Sequence, residues 1–151
     1  MPEGPNKLTE NKERLPTVIC AIILKQENGR TKLLLIYRAK KPEGWALSSG
    51  KGFLNPKHKL TPDEAVIKEV EVDLGTSSFK GEKVFDHQSV GQDGAPKVIR
   101  VYAGSVNESE LRAMAGETKD FKWVSLEEAM REKLAFDGNE IIKQYLNSKK
   151  K

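Results

Sequence analysis

Two apolar runs constrain this chain more than any other feature in it. Residues 18–24 and 33–37 each have the length of a strand, and Leu33-Leu34-Leu35-Ile36 is apolar at every position. A strand that buries one face alternates apolar with polar. A strand apolar throughout is expected to be covered on both faces. The rest of the chain has to supply that cover. Helix signals alternate with further strands, and several strands are joined by hairpin-type links. The expected fold is a mixed α/β (α+β) sandwich.

Residues 17–25 and 32–38 read as strands joined through Glu27-Asn28-Gly29-Arg30, because Asn-Gly favours the positive φ angles of a two-residue hairpin loop. Residues 40–60 read as one long loop rich in Gly, Pro, Ser and Lys, and loops of that length are usually functional or disordered. Helix Pro62–Leu74 follows. Thr61 is its N-cap, Pro62 suits the first helical position, Glu64 completes a capping box and Gly75 supplies the stop. Residues 84–90 and 97–106 read as strands joined by the turn Gly91-Gln92-Asp93-Gly94, and residues 120–124 as a short strand. Ser125 with Glu128, and Asp137 with Glu140, read as capping boxes for two further helices. The second presents Ile141, Ile142, Tyr145 and Leu146 as its apolar face. Residues 1–14 are expected to be a disordered leader, 15–147 a single domain and 148–151 a basic tail.

On helix Pro62–Leu74 the expected core face is Val66, Ile67, Val70 and Leu74, with Glu69, Val72 and Asp73 on the opposite flank. Glu69 and Asp73 stand four residues apart. That spacing stacks two carboxylates one turn from each other, where a hard divalent cation such as Mg²⁺ or Mn²⁺ would relieve their repulsion. The same spacing also suits a solvated acidic face.

The surroundings of that helix decide between the two. Trp45-Ala46-Leu47-Ser48-Ser49-Gly50-Lys51-Gly52 through Lys68-Glu69-Val70-Glu71-Val72-Asp73-Leu74-Gly75 resembles the Nudix box, G-x5-E-x7-R-E-U-x-E-E-x-G-U with U aliphatic. Residues 33–38 resemble the family's lead-in strand, and Phe121 to Ala129 its late Trp-Val strand and capped helix. The likeness covers residues 17–146. Glu69, Val70 and Gly75 match the box. Lys68 stands at its arginine, Val72 and Asp73 at its acidic pair, Thr76 at its last aliphatic position and Leu60 at its early glutamate. The spacing from Gly50 to Gly75 exceeds the pattern by about four residues.

The resemblance implies a Nudix-type α/β/α sandwich with a mixed sheet. It also implies a metal-dependent pyrophosphohydrolase acting on a phosphoanhydride in a nucleoside diphosphate derivative. By that likeness Glu69, Asp73 and the Gly50 carbonyl would hold Mg²⁺ or Mn²⁺, and Glu69, Asp73 and Glu117 would be catalytic. Asp120 is an alternative acid. Arg38, Lys51, Lys68 and Trp45 would contact substrate, with Tyr37 and Phe53 as further stacking candidates. The departures at Lys68, Leu60 and Val72 support a second expectation, a weakly active or inactive module that binds nucleotide or RNA.

Composition bounds the rest. Hydrophobic residues make up 37% and charged residues 32% of 151, enough for one core under a polar surface. The net charge of +4 suits a polyanionic ligand, a nucleotide or, with less support, nucleic acid, although lysines near both termini account for part of it. The single cysteine, Cys20, excludes an internal disulfide and reads as a buried strand thiol. His58 reads as an exposed bystander and His87 as structural. No run is apolar and long enough to span a bilayer, and no apolar leader is evident, so the expected setting is cytoplasmic, without membrane, as monomer or homodimer.

Overall fold

A computed structural model describes residues 16–91 and 93–149; the leader, Leu15 at the expected start of the domain, Gln92 and the last two lysines of the tail lie outside the described residues. The architecture is a mixed sheet with helices on both faces. Strand β1 (Val18–Glu27) enters a hairpin with β2 (Arg30–Arg38), and the turn places Asn28 at φ 54° and Gly29 at φ 76°. Two consecutive positive φ angles are what the Asn-Gly pair provides. The order β3-β2-β1-β6-β5 is built from β3 (Gly44–Ala46), β5 (Lys80–Val90) and β6 (Pro96–Ser105), with β4 (Ser48–Gly50) paired to β1 and β7 (Thr118–Ser125) to β2.

Helix α1 (Pro62–Leu74) covers one face, while α2 (Leu126–Arg131) and α3 (Gly138–Lys149) cover the other. Alternate residues of the apolar runs divide between the two sides. Ile19, Ala21, Ile23, Leu34 and Ile36 pack with Val66, Val70 and Leu74 of α1. Cys20, Ile22, Leu33 and Leu35 pack with Ile141, Ile142 and Tyr145 of α3. The unbroken apolar character of these strands thus has its predicted cause, and Cys20 is a buried thiol pushed up to about 12 by burial.

Two of the three predicted capping boxes, at Thr61/Glu64 and Ser125/Glu128, are present, and Gly75 ends α1 at φ 76°. Three expectations are corrected. Residues 40–60 are not one loop: they contain β3, β4 and two 3-10 turns, Gly52–Leu54 and Pro56–His58. Those three-residue strands have no periodicity of their own and exist because the edges of β1 and β2 offer backbone partners. Asp137 does not cap α3 with its side chain. Its carboxylate instead receives Ser89 Oγ at 2.5 Å and lies 3.2 Å from His87 Nε2, both on β5.

The third correction concerns α1. Its buried residues are Ala65, Val66, Glu69, Val70, Asp73 and Leu74, with Ile67 only half-buried. At about 100° per residue Asp73 falls about 20° from Val66, inside the apolar arc rather than opposite it. The two acids face inward.

Candidate functional site

Strands β1 and β2 stay paired only near their hairpin, from Leu24/Leu33 to Glu27/Arg30. Beyond it they part. β1 continues beside β4 and β6, and β2 beside β3 and β7. The short β3–β4 segment bridges the gap, and a cavity of about 500 Å³ opens there. That volume suits a mononucleotide-sized ligand. Cys20, Ile36 and Arg38 contribute to its wall from the parting strands, Leu47 and Gly50 from the bridging β3–β4 segment, and Glu69, Val72 and Asp73 from α1.

Glu69 and Asp73 are 8% and 5% exposed. Neither forms an ion pair among the described residues. Burial first, then the Asp73 carboxylate beside it, pushes Glu69 from the ordinary 4.5 up to about 8. Burial also lifts Asp73 to about 6, against the Ser48 hydroxyl, which donates to Asp73 Oδ2 at 2.8 Å and favours the charged form. Gly50 abuts this pair: a Cβ there would fall 2.6 Å from Glu69 Cδ. The absence of a side chain at 50 is what lets the Glu69 carboxylate lie against the β4 backbone. Glu117, which raises both acids further, lines the same cavity and receives Lys40 Nζ at 2.8 Å.

These donors fit a hydrated divalent cation. Two adjacent buried carboxylates are costly as anions, and the charges of Lys40 and Arg38 nearby do not offset that burial; hard oxygen ligands are the ones Mg²⁺ and Mn²⁺ take. No group of three or more acidic, histidine or cysteine side chains at metal-holding spacing occurs among the described residues. Water and ligand oxygens would have to fill most of the coordination shell, as Mg²⁺ permits.

The other expected residues divide cleanly. Arg38, Lys51 and Phe53 line the cavity, though the Arg38 guanidinium is already engaged. It donates to the Pro42 carbonyl at 2.9 Å and the Lys41 carbonyl at 3.1 Å, and it lies 4.6 Å from the Phe136 ring centroid. Lys68 and Trp45 are not in the lining. Lys68 is exposed and pairs with Glu71 at 3.6 Å, and Trp45 packs edge-on against Tyr37 under the Lys122 ammonium. Asp120 accepts from the Phe121 backbone N–H outside the cavity. His58 packs on Phe53, and His87 lies 3.0 Å from Gln144 Oε1 as well as beside Asp137.

Sequence reasoning missed Ser48, Lys40, Lys97 and Phe136. Ser48 and Lys40 were hidden in a stretch read as loop. Lys97 was read only as the first residue of a strand. Phe136 had one signal, an aromatic side chain just before a supposed helix cap.

In overall shape the chain is similar to the NUDIX domain of Shewanella oneidensis NrtR solved with ADP ribose. The TM-score is 0.73 at 18% identity, over 95% of this chain and 97% of that one. A C. elegans Ap4A hydrolase binary complex gives a TM-score of 0.69 at 15% identity, over 87% of this chain and 96% of that one. A MutT NUDIX hydrolase from Burkholderia pseudomallei gives 0.63 at 22%, over 87% and 98%. At such identities the likeness carries the fold alone. No curated protein matches the chain in sequence. The family itself is shown independently, because the sequence model of the NUDIX domain matches residues 14–145, which include both parting strands, the acidic helix and the cavity between them. The chain belongs to the NUDIX domain family.

Proposed function

We propose that the chain hydrolyses a phosphoanhydride bond in a nucleoside diphosphate derivative, with Mg²⁺ or Mn²⁺ held by Glu69 and Asp73. The observation that carries this reading is the buried Glu69–Asp73 pair, with no direct ion-pair partner among the described residues, on the wall of a nucleotide-sized cavity. A protein that had no use for these charges would gain by replacing them with apolar side chains.

The roles follow from placement. Glu69, Asp73 and the Gly50 carbonyl would hold the cation, and Ser48 orients Asp73 through its hydrogen bond. The cation, when bound, supplies charge neutralisation of phosphate oxygens and activation of water. Lys40, Lys51 and Lys97 line the cavity and bring positive charge to a phosphate chain. The Arg38 guanidinium adds to that field from its anchored position. Glu117, paired with Lys40 at 2.8 Å, is the acceptor we assign for the proton of the attacking water.

The direct test is product formation from ADP-ribose and dinucleoside polyphosphates with Mg²⁺ or Mn²⁺. Turnover that stops on chelation is expected, and Glu117→Gln should lower kcat by about 10²–10⁴. Absence of product from every such substrate would remove the enzymatic reading. Gly50→Ala is expected to displace the Glu69 carboxylate and weaken Mn²⁺ binding about tenfold, read by calorimetry. Unchanged affinity would mean that Glu69 does not hold the ion.

A specific observation also favours the reading of weak turnover. Val72 lines the cavity beside the two acids, at a position where the family pattern carries a carboxylate, and Lys68 faces away from Glu69's surroundings toward Glu71. On that reading nucleotide raises the melting temperature in the presence of metal without being consumed.

A further inference from the structure

The cavity has a second half. Away from the carboxylates it is walled by Val18, Leu47, Ile99, Ile141 and Phe136. All but Phe136 belong to the core cluster under α3 or pack against it. Phe136 is different: 41% of it is exposed, which is unusual for a phenyl ring bordering a core.

Its backbone is different too. Phe136 and Asp137 sit at φ 57° and 63°, consecutive left-handed conformations that side chains bearing a Cβ rarely adopt. Tertiary contacts hold this shape. Ser89 Oγ donates to Asp137 Oδ2 at 2.5 Å, and His87 Nε2 lies 3.2 Å from the same oxygen. His87 is itself braced 3.0 Å from Gln144 Oε1, and the Asp137 carbonyl starts α3 by accepting from Ile141 N–H at 2.9 Å. Stitching β5 to α3 in this way needs Asp137. It does not need a phenyl ring at 136, where glycine or asparagine would tolerate the backbone better. The Arg38 guanidinium, held by two carbonyls, lies 4.6 Å from the ring centroid. The ring is thus fixed from two directions while much of its surface stays open.

We infer that Phe136, backed by Arg38 and positioned by the Asp137 clasp to His87 and Ser89, is the platform on which the planar base of the nucleotide stacks. This rests on the proposed function and adds to it the residues that select for a nucleoside. A planar π-face of any base can stack on such a ring, and a preorganised ring loses little freedom when it does. Asp137 and His87 act through Phe136 and are positioning residues.

The test is calorimetric binding of the α,β-methylene diphosphates of adenosine, guanosine, cytidine and uridine, against methylenediphosphonate, all in Mg²⁺. Wild-type protein is expected to bind at least one nucleoside analogue tenfold or more tightly than methylenediphosphonate. Phe136→Ala should erase that preference and leave methylenediphosphonate binding within about twofold, while Phe136→Trp retains it. Asp137→Asn keeps a residue tolerant of the left-handed region and should lose part of the same preference, again without changing methylenediphosphonate binding. If wild-type protein prefers no nucleoside, or if Phe136→Ala spares the preference or weakens both ligand classes alike, the platform is overturned and the proposed function stands. If wild-type protein binds neither class, the proposed function falls and the platform falls with it.

Discussion

Glu69→Gln is expected to reduce metal-dependent hydrolysis by about 10³-fold or more and, at the same time, to stabilise the metal-free protein above neutral pH. The two effects have one cause. Glu69 is 8% exposed, and burial together with Asp73 raises its carboxyl to about 8. In the folded, metal-free chain it holds a proton over a range in which the unfolded chain, with an ordinary value of 4.5, has released it. The unfolded state binds fewer protons there, so stability is fully present below about pH 4.5 and is lost as pH rises toward 8. The size of that loss is on the order of 5 kcal/mol. Glutamine keeps the shape and removes the charge, so the Glu69→Gln melting temperature in chelator should fall much less between pH 5 and 8 than that of wild type, its remaining loss coming from Asp73 and ending near pH 6. Mn²⁺ binds the ionised pair, so it should raise the wild-type melting temperature more at pH 8 than at pH 6. A wild-type melting temperature that is flat with pH, or full turnover by the glutamine variant, would contradict this account of the pair.

Val72→Glu carries the second large effect. Val72 is half-buried, lines the cavity and stands three residues from Glu69, close enough on a helix for the side chains to interact. A third carboxylate there adds repulsion to a pair that burial already disfavours as anions, despite the nearby Lys40 and Arg38. The metal-free variant should therefore melt below wild type. With Mn²⁺ the order should reverse, because the added ligand is expected to tighten the ion about tenfold, or 1.4 kcal/mol, and to raise the hydrolytic rate. Val72→Gln has the same length without the charge and should show neither change. If Val72→Glu and Val72→Gln bind Mn²⁺ equally well, residue 72 does not face the ion.

Much of the architecture was legible from local chemistry. The apolar runs at 18–24 and 33–37 required cover on both faces, and α1 and α3 provide it. The Asn28-Gly29 hairpin and the boxes at Thr61/Glu64 and Ser125/Glu128 depend on residues a few positions apart, and each formed as read. That Gly50, Lys51, Glu69 and Asp73 belong together was also legible, because the pattern that carries them is a linear one, whereas Glu117, which lines the same cavity, was named only as one of two acids ahead of Trp123. Their inward orientation was misread, since a rule that counts only apolar residues as core assigns every carboxylate to solvent. Lys68 and Trp45 were likewise chosen for their place in the pattern, and their neighbours Glu71, Tyr37 and Lys122 hold them elsewhere.

By itself, then, the amino-acid order determined what short-range forces can determine: which segments extend, where helices begin and stop, and which two acids share a flank. Only the tertiary structure decided that β1 and β2 part, that β4 lies along β1 with Gly50 against Glu69, and that Phe136 and Asp137 are held in left-handed conformations beside Arg38, His87 and Ser89. Those arrangements join residues 19 to 98 positions apart. Their energies come from burial and from hydrogen bonds that exist only once distant strands and helices have met, so no local pattern in the chain encodes them.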